Sequence, residues 1–246
     1  MLPQLPDGFT ALVTGASGGI GAALVDALLA SPRLGRLHAV SRQPVRRDDP
    51  RLVALPLDIT EPAGLAGLEE SLAGRPLHLV INTLGMLHDD AAGIAPEKKL
   101  GDLDAEALAR LFHVNAATPA LLLQALEGSL KGRHPALVAS LSARVGSIGD
   151  NRLGGWYGYR ASKAAHNMLM KTAAVELRRL NPEACVICLH PGTTDTGLSS
   201  PFQSRVPAGK LFSPAFVAER LLEVLGRRGP EESGDFRDWQ DSPIPW

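Results

Sequence analysis

Short runs of aliphatic and β-branched residues alternate along this chain with longer stretches in which apolar residues recur at helical spacing. The runs are "TALVTG" (10–15), "RLHAVS" (36–41), "LVALPL" (52–57), "LHLVIN" (77–82), "ALVASLS" (136–142) and "CVICLH" (185–190). The pattern between and after them predicts helices over 19–30, 62–73, 104–130, 158–180 and 214–227. The strands are continuously apolar rather than cleanly alternating, as expected of strands covered on both faces. Repeated strand–helix units of this kind predict a doubly wound parallel sheet in three α/β layers, with 1–246 forming a single domain. A last short strand is expected in the tail, from Phe236 to Trp239.

Two long segments carry no periodicity, 85–103 after the fourth strand and 191–213 after the sixth. Loops of that length inside a compact domain are usually functional. Both start at carboxyl ends of strands, where open α/β sheets bind their ligands.

Composition narrows the classes. A chain of 246 residues, 45% hydrophobic, can bury a core without metal or disulfide support. Its 25 Lys and Arg against 26 Asp and Glu leave no positive excess for nucleic acid or an anionic membrane. The opening "MLPQLPDGF" has no basic stretch followed by an apolar one, and no run reaches the ~18–20 apolar residues of a membrane helix. A soluble, cytoplasmic protein is expected. Cys185 and Cys188 form C-x-x-C, but at i, i+3 on a strand the thiols face opposite ways, so they read as core. His88, His113, His166 and His190 show no ligand spacing, and no metal is expected.

The first strand runs into "TGASGGIGAAL" (14–24), where Gly15, Gly19 and Gly21 open a helix. Glycine there admits positive φ and lets backbone N–H groups approach a pyrophosphate at the helix N-terminus. The end of the second strand bears on the choice of dinucleotide. An acid at that point accepts from the ribose 2′-hydroxyl of NAD, whereas here Ser41 and Arg42 stand in its place. A guanidinium suits a 2′-phosphate, so NADP(H) is expected over NAD(H).

At this point the motifs match a family. The chain resembles the short-chain dehydrogenase/reductase superfamily over nearly its whole length. The matching pieces run in order: "TGASGGIG" (14–21), "LDIT" (57–60), "NTLG" (82–85), Asn115 in "FHVN", "VASLSARVG" (138–146), "YRASK" (159–163) and "HPG" (190–192). Within it, "SARVGSIGDNRLGGWYGYRASKAAHNM" is most similar to the carbonyl-reductase-like branch that includes Sniffer and the C-factor signalling proteins. The resemblance implies a Rossmann fold. It places Ser17, Ile20, Ile59 and Gly85 among the cofactor-binding residues, Asp58 near adenine, and Asn82 holding the strand end against the ribose. It puts Pro191 and Gly192 at the nicotinamide, with Thr194 and Thr196 on its carboxamide and the phosphate, and Asn115 in a helix kink that holds a relay water.

There are two departures. Thr83-Leu84 replaces the usual Asn-Ala, and the usual serine position, three before Gly146, is Ala143. Ser140 and Ser142 share a strand face, and Ser142 is nearer the carboxyl end; it is the candidate, with Ser147 the alternative.

Reducing a carbonyl requires a hydride and a proton. A tyrosine of pKa about 10 must move by about three units, roughly 4 kcal/mol, to exchange its proton near neutrality. A fixed ammonium nearby is the right perturbation. At about 100° per residue, Tyr159 and Lys163 (i, i+4) lie within about 40° on one helix face, whereas Tyr157 lies about 120° from Lys163. Tyr159 is therefore the expected general acid, with Lys163 also donating to the nicotinamide ribose and Ser142 to the developing alkoxide. The expected activity is NADPH-dependent reduction of a small carbonyl compound, in a homo-oligomer formed through the long helices. The alternative is a cofactor-binding regulatory protein of the C-factor type with little turnover.

Overall fold

The computed structural model describes residues 2–246, so Met1 of the opening segment lies outside them. Chain order runs β1 (Phe9–Thr14), α1 (Gly19–Leu29), β2 (Leu34–Ser41), β3 (Leu52–Pro56), α2 (Pro62–Leu72) and β4 (Leu79–Asn82). It continues with α3 (Ala105–Phe112), α4 (Thr118–Leu130), β5 (Ala136–Leu141), α5 (Tyr157–Leu180) and β6 (Ala184–His190). The short β7 (Thr193–Thr194) and β8 (Leu211–Phe212), then α6 (Pro214–Leu225) and β9 (Phe236–Asp238), complete it.

Seven strands form one sheet in the order β3-β2-β1-β4-β5-β6-β9, every pairing parallel. The direction of winding reverses between β1 and β4, which opens a crevice at their carboxyl ends. The six expected strands and the tail strand are all present, with ends displaced by a residue or two. Helices cover both faces. Leu24, Val25 and Leu28 of α1 and Val217, Leu221 and Leu222 of α6 bury one side. Leu68 of α2, Leu122 and Leu126 of α4 and Met170 and Leu177 of α5 bury the other.

The cysteine strand shows why the strands look continuously apolar. Cys185, Ile187 and Leu189 enter the first core, and Val186 and Cys188 the second. Each residue meets apolar surface whichever way it points. Both thiols are free and buried, and burial pushes each up to about 12.

The stretch 104–130, expected as one helix, is interrupted. His113–Ala117 forms a π-turn between α3 and α4, closed by Thr118 N–H donating to His113 C=O. Pro119 explains it, because proline has no N–H for the carbonyl four residues back, that of Asn115, and its ring would clash with it. The long segments 85–103 and 191–213 hold small ordered pieces: an Asp89–Ile94 bridge in the first, and β7 paired with β8 in the second.

Candidate active site

The glycine loop fixes one end of the site. Gly15 and Gly19 have φ of +66° and +51°. A Cβ on Gly21 would lie 2.2 Å from Gly15 C=O, so only glycine lets α1 pack this closely on the loop that starts it. Helix α1 has no side-chain cap on its N-terminus, and a Cβ on Gly18 would meet nothing within 4 Å. Uncapped amides facing open space bind anions readily.

From this loop a cleft of about 1180 Å³ extends along the sheet edge to α5. Of the residues singled out in the sequence, Gly15, Gly19, Ile20, Gly85, Ser142, Tyr159, Lys163, Pro191, Gly192, Thr194 and Thr196 line it. Ser17, Gly21, Ser41, Arg42, Asp58, Ile59, Asn82 and Asn115 do not; they lie behind it or beyond its β2 end. Trp156 lines the cleft, whereas Tyr157 begins α5 without reaching it.

Tyr159 is 7% exposed and Lys163 3%. Lys163 Nζ sits 6.0 Å from the Tyr159 ring centre and donates to Leu141 C=O at 2.9 Å, with no carboxylate partner among the described residues. A Cβ on Gly85 would stand 3.6 Å from Lys163 Nζ and 3.8 Å from Asn115 Oδ1, so backbone, ammonium and amide converge there. Gly146 serves the same packing: a Cβ on it would lie 2.8 Å from Lys163 Cβ. Burial holds Lys163 down to about 8. Burial also pushes the Tyr159 phenol up, opposite to the fall expected from the lysine, because desolvation of a phenolate outweighs a cation this far from the ring. The hydroxyl of Tyr159 has no hydrogen-bond partner among the described residues.

Asn115 is held from all sides. Its Oδ1 accepts from Met86 N–H at 2.7 Å, and its Nδ2 donates to Met86 C=O at 2.7 Å and to Ser162 Oγ at 3.0 Å. Its own carbonyl, released by the π-turn, accepts from His166 Nδ1 at 3.0 Å. That contact fixes the proton on Nδ1 and leaves Nε2 buried without a partner. Burial, with the Lys163 charge nearby, holds His166 down to about 3. His166 went unrecognised in the sequence; Pro119, which frees the carbonyl, was the available signal.

The serine side is arranged differently from expectation. Ser142 borders the cleft, but its hydroxyl donates to Asn167 Oδ1 at 2.6 Å, one turn beyond Lys163. A hydroxyl has one proton, so Ser142 cannot donate to a ligand while that bond stands. Ser147 Oγ accepts from Asp150 N–H at 3.1 Å and stands outside the cleft. Ser140 Oγ accepts from Asn82 Nδ2 at 2.9 Å, and Asn82 Oδ1 accepts from Thr14 Oγ1 at 2.6 Å. Asn82 thus ties the ends of β1, β4 and β5 together. Ala143, at the position where a serine is usual, faces the cleft without a donor.

Beyond the β2 end, Arg42 is exposed, and Ser41 Oγ donates to Gln43 C=O at 2.5 Å. Asp58 Oδ1 accepts from Thr60 N–H at 3.0 Å and Thr60 Oγ1 at 2.6 Å. Burial raises its pKa, but these bonds and the charges of Arg42 and Arg110 outweigh it and hold the carboxyl low. The two long segments meet over the cleft: His88 Nε2 contacts Gly197 C=O at 3.3 Å, and Phe202 packs on His88 and Trp156. His88 therefore joins loop to loop, while His190 lines the cleft from the end of β6. Among the described residues no three His, Cys, Asp or Glu side chains gather as a metal site would need. No helix of the described residues is long and apolar enough to cross a membrane.

The family model described as short chain dehydrogenase matches residues 9–206. The chain is 37% identical over 148 residues to C-signal of Myxococcus xanthus, covering 60% of this chain and 83% of that one. Its fold overlays the NADPH-bound carbonyl reductase from chicken fatty liver with a TM-score of 0.85 and 26% identity, covering 100% of this chain and 96% of that one. Carbonyl reductase Sniffer of D. melanogaster overlays at 0.81 with 20% identity, over 97% and 99%, a likeness of fold. The chain belongs to the short-chain dehydrogenase family and is an oxidoreductase of that family, with a Rossmann-type parallel sheet.

Proposed function

We propose that this protein, as a single domain, reduces an aldehyde or ketone to an alcohol with NADPH, and runs in reverse as an alcohol dehydrogenase. One observation carries the reading: the unpartnered Tyr159 hydroxyl and buried Lys163 share a continuous cleft with an uncapped glycine-loop helix. The cradle at Gly15, Gly19 and Gly21 fits a dinucleotide pyrophosphate, since a side chain at Gly21 would collide with backbone. Arg42, with no acid beside it at the end of β2, supports the choice of NADP(H) over NAD(H). Asp58 keeps Oδ2 available for adenine while Thr60 occupies Oδ1. When bound, NADPH supplies the hydride.

The rest is done by the chain. Tyr159, kept protonated by burial, gives its proton to the carbonyl oxygen as it becomes an alkoxide. Lys163 stabilises the phenolate left behind and is itself anchored on Leu141 C=O. Asn115 holds the segment after β4 against Lys163 through Met86. Trp156, Phe202 and Leu198 give the cleft an apolar lining. Ser142 adds a second donor only on release from Asn167. Exposed Leu121 on α4 with Met168 and Val175 on α5 supports a homo-oligomer, which sedimentation tests.

Tyr159→Phe should abolish NADPH oxidation with aldehydes, diketones and quinones while NADPH still binds; a variant that keeps most of its turnover sinks the assignment. A second reading, a cofactor-binding signalling protein, is favoured by the likeness to C-signal and by the committed Ser142. NADPH binding without turnover on that panel would select it.

A further inference from the structure

The charges lining the cleft are one-sided. Besides Lys163, its Lys, Arg, Asp and Glu side chains are Lys98, Arg144, Arg152, Arg160, Lys210 and a single acid, Asp150. The chain as a whole balances 25 basic residues against 26 acidic ones. Arg144 is neutralised by Asp150 at 3.5 Å and Asp238 at 3.0 Å. The others have no carboxylate partner among the described residues.

Arg160 is a fixed cation. It donates from Nε to Gly155 C=O at 2.9 Å, from Nη2 to Gly154 C=O at 3.1 Å and from Nη1 to Val145 C=O at 3.4 Å. Of its five N–H groups two remain unused, and carbonyl partners leave its charge uncompensated. Arg152 and Lys98 are exposed, and their side chains make no hydrogen bond among the described residues. Lys98 follows an anchored residue: Glu97 is 5% exposed, its carbonyl accepts from Trp156 N–H at 2.6 Å and its carboxylate from Gly158 N–H at 3.2 Å, which ties this segment to the start of α5 that carries Arg160. Leu153, 93% exposed, adds apolar surface next to Arg152.

The two arginines lie at the wrong end of the cleft for the cofactor phosphates. The glycine loop follows β1 and Arg42 follows β2, whereas Arg152 and Arg160 follow β5. In the sheet β5 stands two strands from β1 and three from β2, about 10–15 Å away.

We propose that the substrate of this cleft is an anion: an aldehyde or ketone with its apolar body against Trp156 and Phe202. Its carboxylate, sulfonate or phosphate would meet Arg160, Arg152 and Lys98 at the mouth. The proposal rests on reading the cleft as a carbonyl-reducing site, and the test separates the two.

Three benzaldehydes of one shape serve as probes for the full-length protein: 4-formylbenzoate, its neutral primary amide and the cationic trimethylammonium analogue. Binding is read by calorimetry with NADP⁺ present, where no reduction can occur, and turnover with NADPH. The anion should bind about tenfold tighter than the amide, and the cation weakest. High salt should erase most of the advantage. In the double variant Arg152→Glu, Lys98→Glu the ratio of anion to amide binding should fall to one or below. An anion that binds no better than the amide, or an advantage indifferent to salt and to charge reversal, overturns the proposal. Anion-selective binding with no turnover of any probe upholds the anion site and counts against the reductase. Turnover without charge preference leaves the reductase standing and removes the anion site.

Discussion

Two hydroxyls reach the same cleft from different elements, Tyr159 from α5 and Ser142 from just past the end of β5, and they are held in opposite ways. Tyr159 keeps its phenol free of protein partners and has Lys163 one turn on. Ser142 gives its only proton to Asn167, 25 residues further along the chain. The tyrosine's place follows from local helical geometry, because i and i+4 share a face in any α-helix. The serine's aim is decided by tertiary packing. Strand alternation settles which face a side chain takes, and a hydroxyl on that face still has a choice of partners.

The largest test of this contrast is Tyr159→Phe. If Tyr159 is the proton donor, kcat/KM for carbonyl reduction should fall by about 10²–10⁴. NADPH affinity, read by cofactor fluorescence, should stay within a few-fold. A loss of binding in parallel would mean that the phenol holds the site together rather than acting in it.

Two neutral imidazoles also stand close to the site, His166 buried on α5 and half-buried His190 at the end of β6, held down to about 3 and about 4, chiefly by burial. His38, in the core of β2, is held to about 4 by burial and by Arg36 and Arg75. For each, the folded value lies below the unfolded 6.5, so the unfolded chain binds the proton first. Stability is fully present above about pH 6.5 and is lost as pH falls towards 4. The slope is about 1.4 kcal/mol per pH unit for each histidine. Urea unfolding between pH 6.5 and 5, above the ordinary carboxylate range, reads it directly. A flat profile there would mean that these imidazoles meet water.

Sequence patterns located the strands because a sheet sandwiched by helices demands apolar residues on both faces, as Cys185, Ile187 and Leu189 against Val186 and Cys188 illustrate. They located the glycine loop because the conformation at Gly15 and the close approach at Gly21 exclude other residues. What stayed hidden depends on distant partners. Asn115 was visible by resemblance and Pro119 by its place in the helix pattern, but the His166 that donates to the freed carbonyl was not. Glu97, buried against the start of α5, lies in an aperiodic loop where no local pattern marks it. The rise at Tyr159 was missed for the same reason: a Tyr–Lys spacing shows the cation but not the burial that outweighs it.

Next in size is a pH effect confined to the α5 wall. Lys163, held down to about 8, is an ammonium below that pH and neutral above it. Only the ammonium supports a phenolate, so reduction should fall by about tenfold per unit above pH 8. Stopped-flow NADPH oxidation at saturating substrate measures it. In Lys163→Arg, whose charge persists, the break should vanish along with part of the rate. A break at the same pH in that variant would assign it to another group.

The smallest effect expected is at the serine, and there it is most telling. Removing a donor that truly stabilises a developing oxyanion costs about 10²–10³ in kcat. Because the Ser142 proton is already committed, Ser142→Ala should lower kcat by no more than about threefold, while unfolding free energy falls by about 1–3 kcal/mol as Asn167 Oδ1 loses its donor. Ala143→Ser supplies the converse: a hydroxyl at the residue that faces the cleft without a donor should raise kcat on neutral carbonyl probes. If Ser142→Ala instead costs a hundredfold with stability intact, the bond to Asn167 breaks when substrate arrives, and the two hydroxyls act as equals.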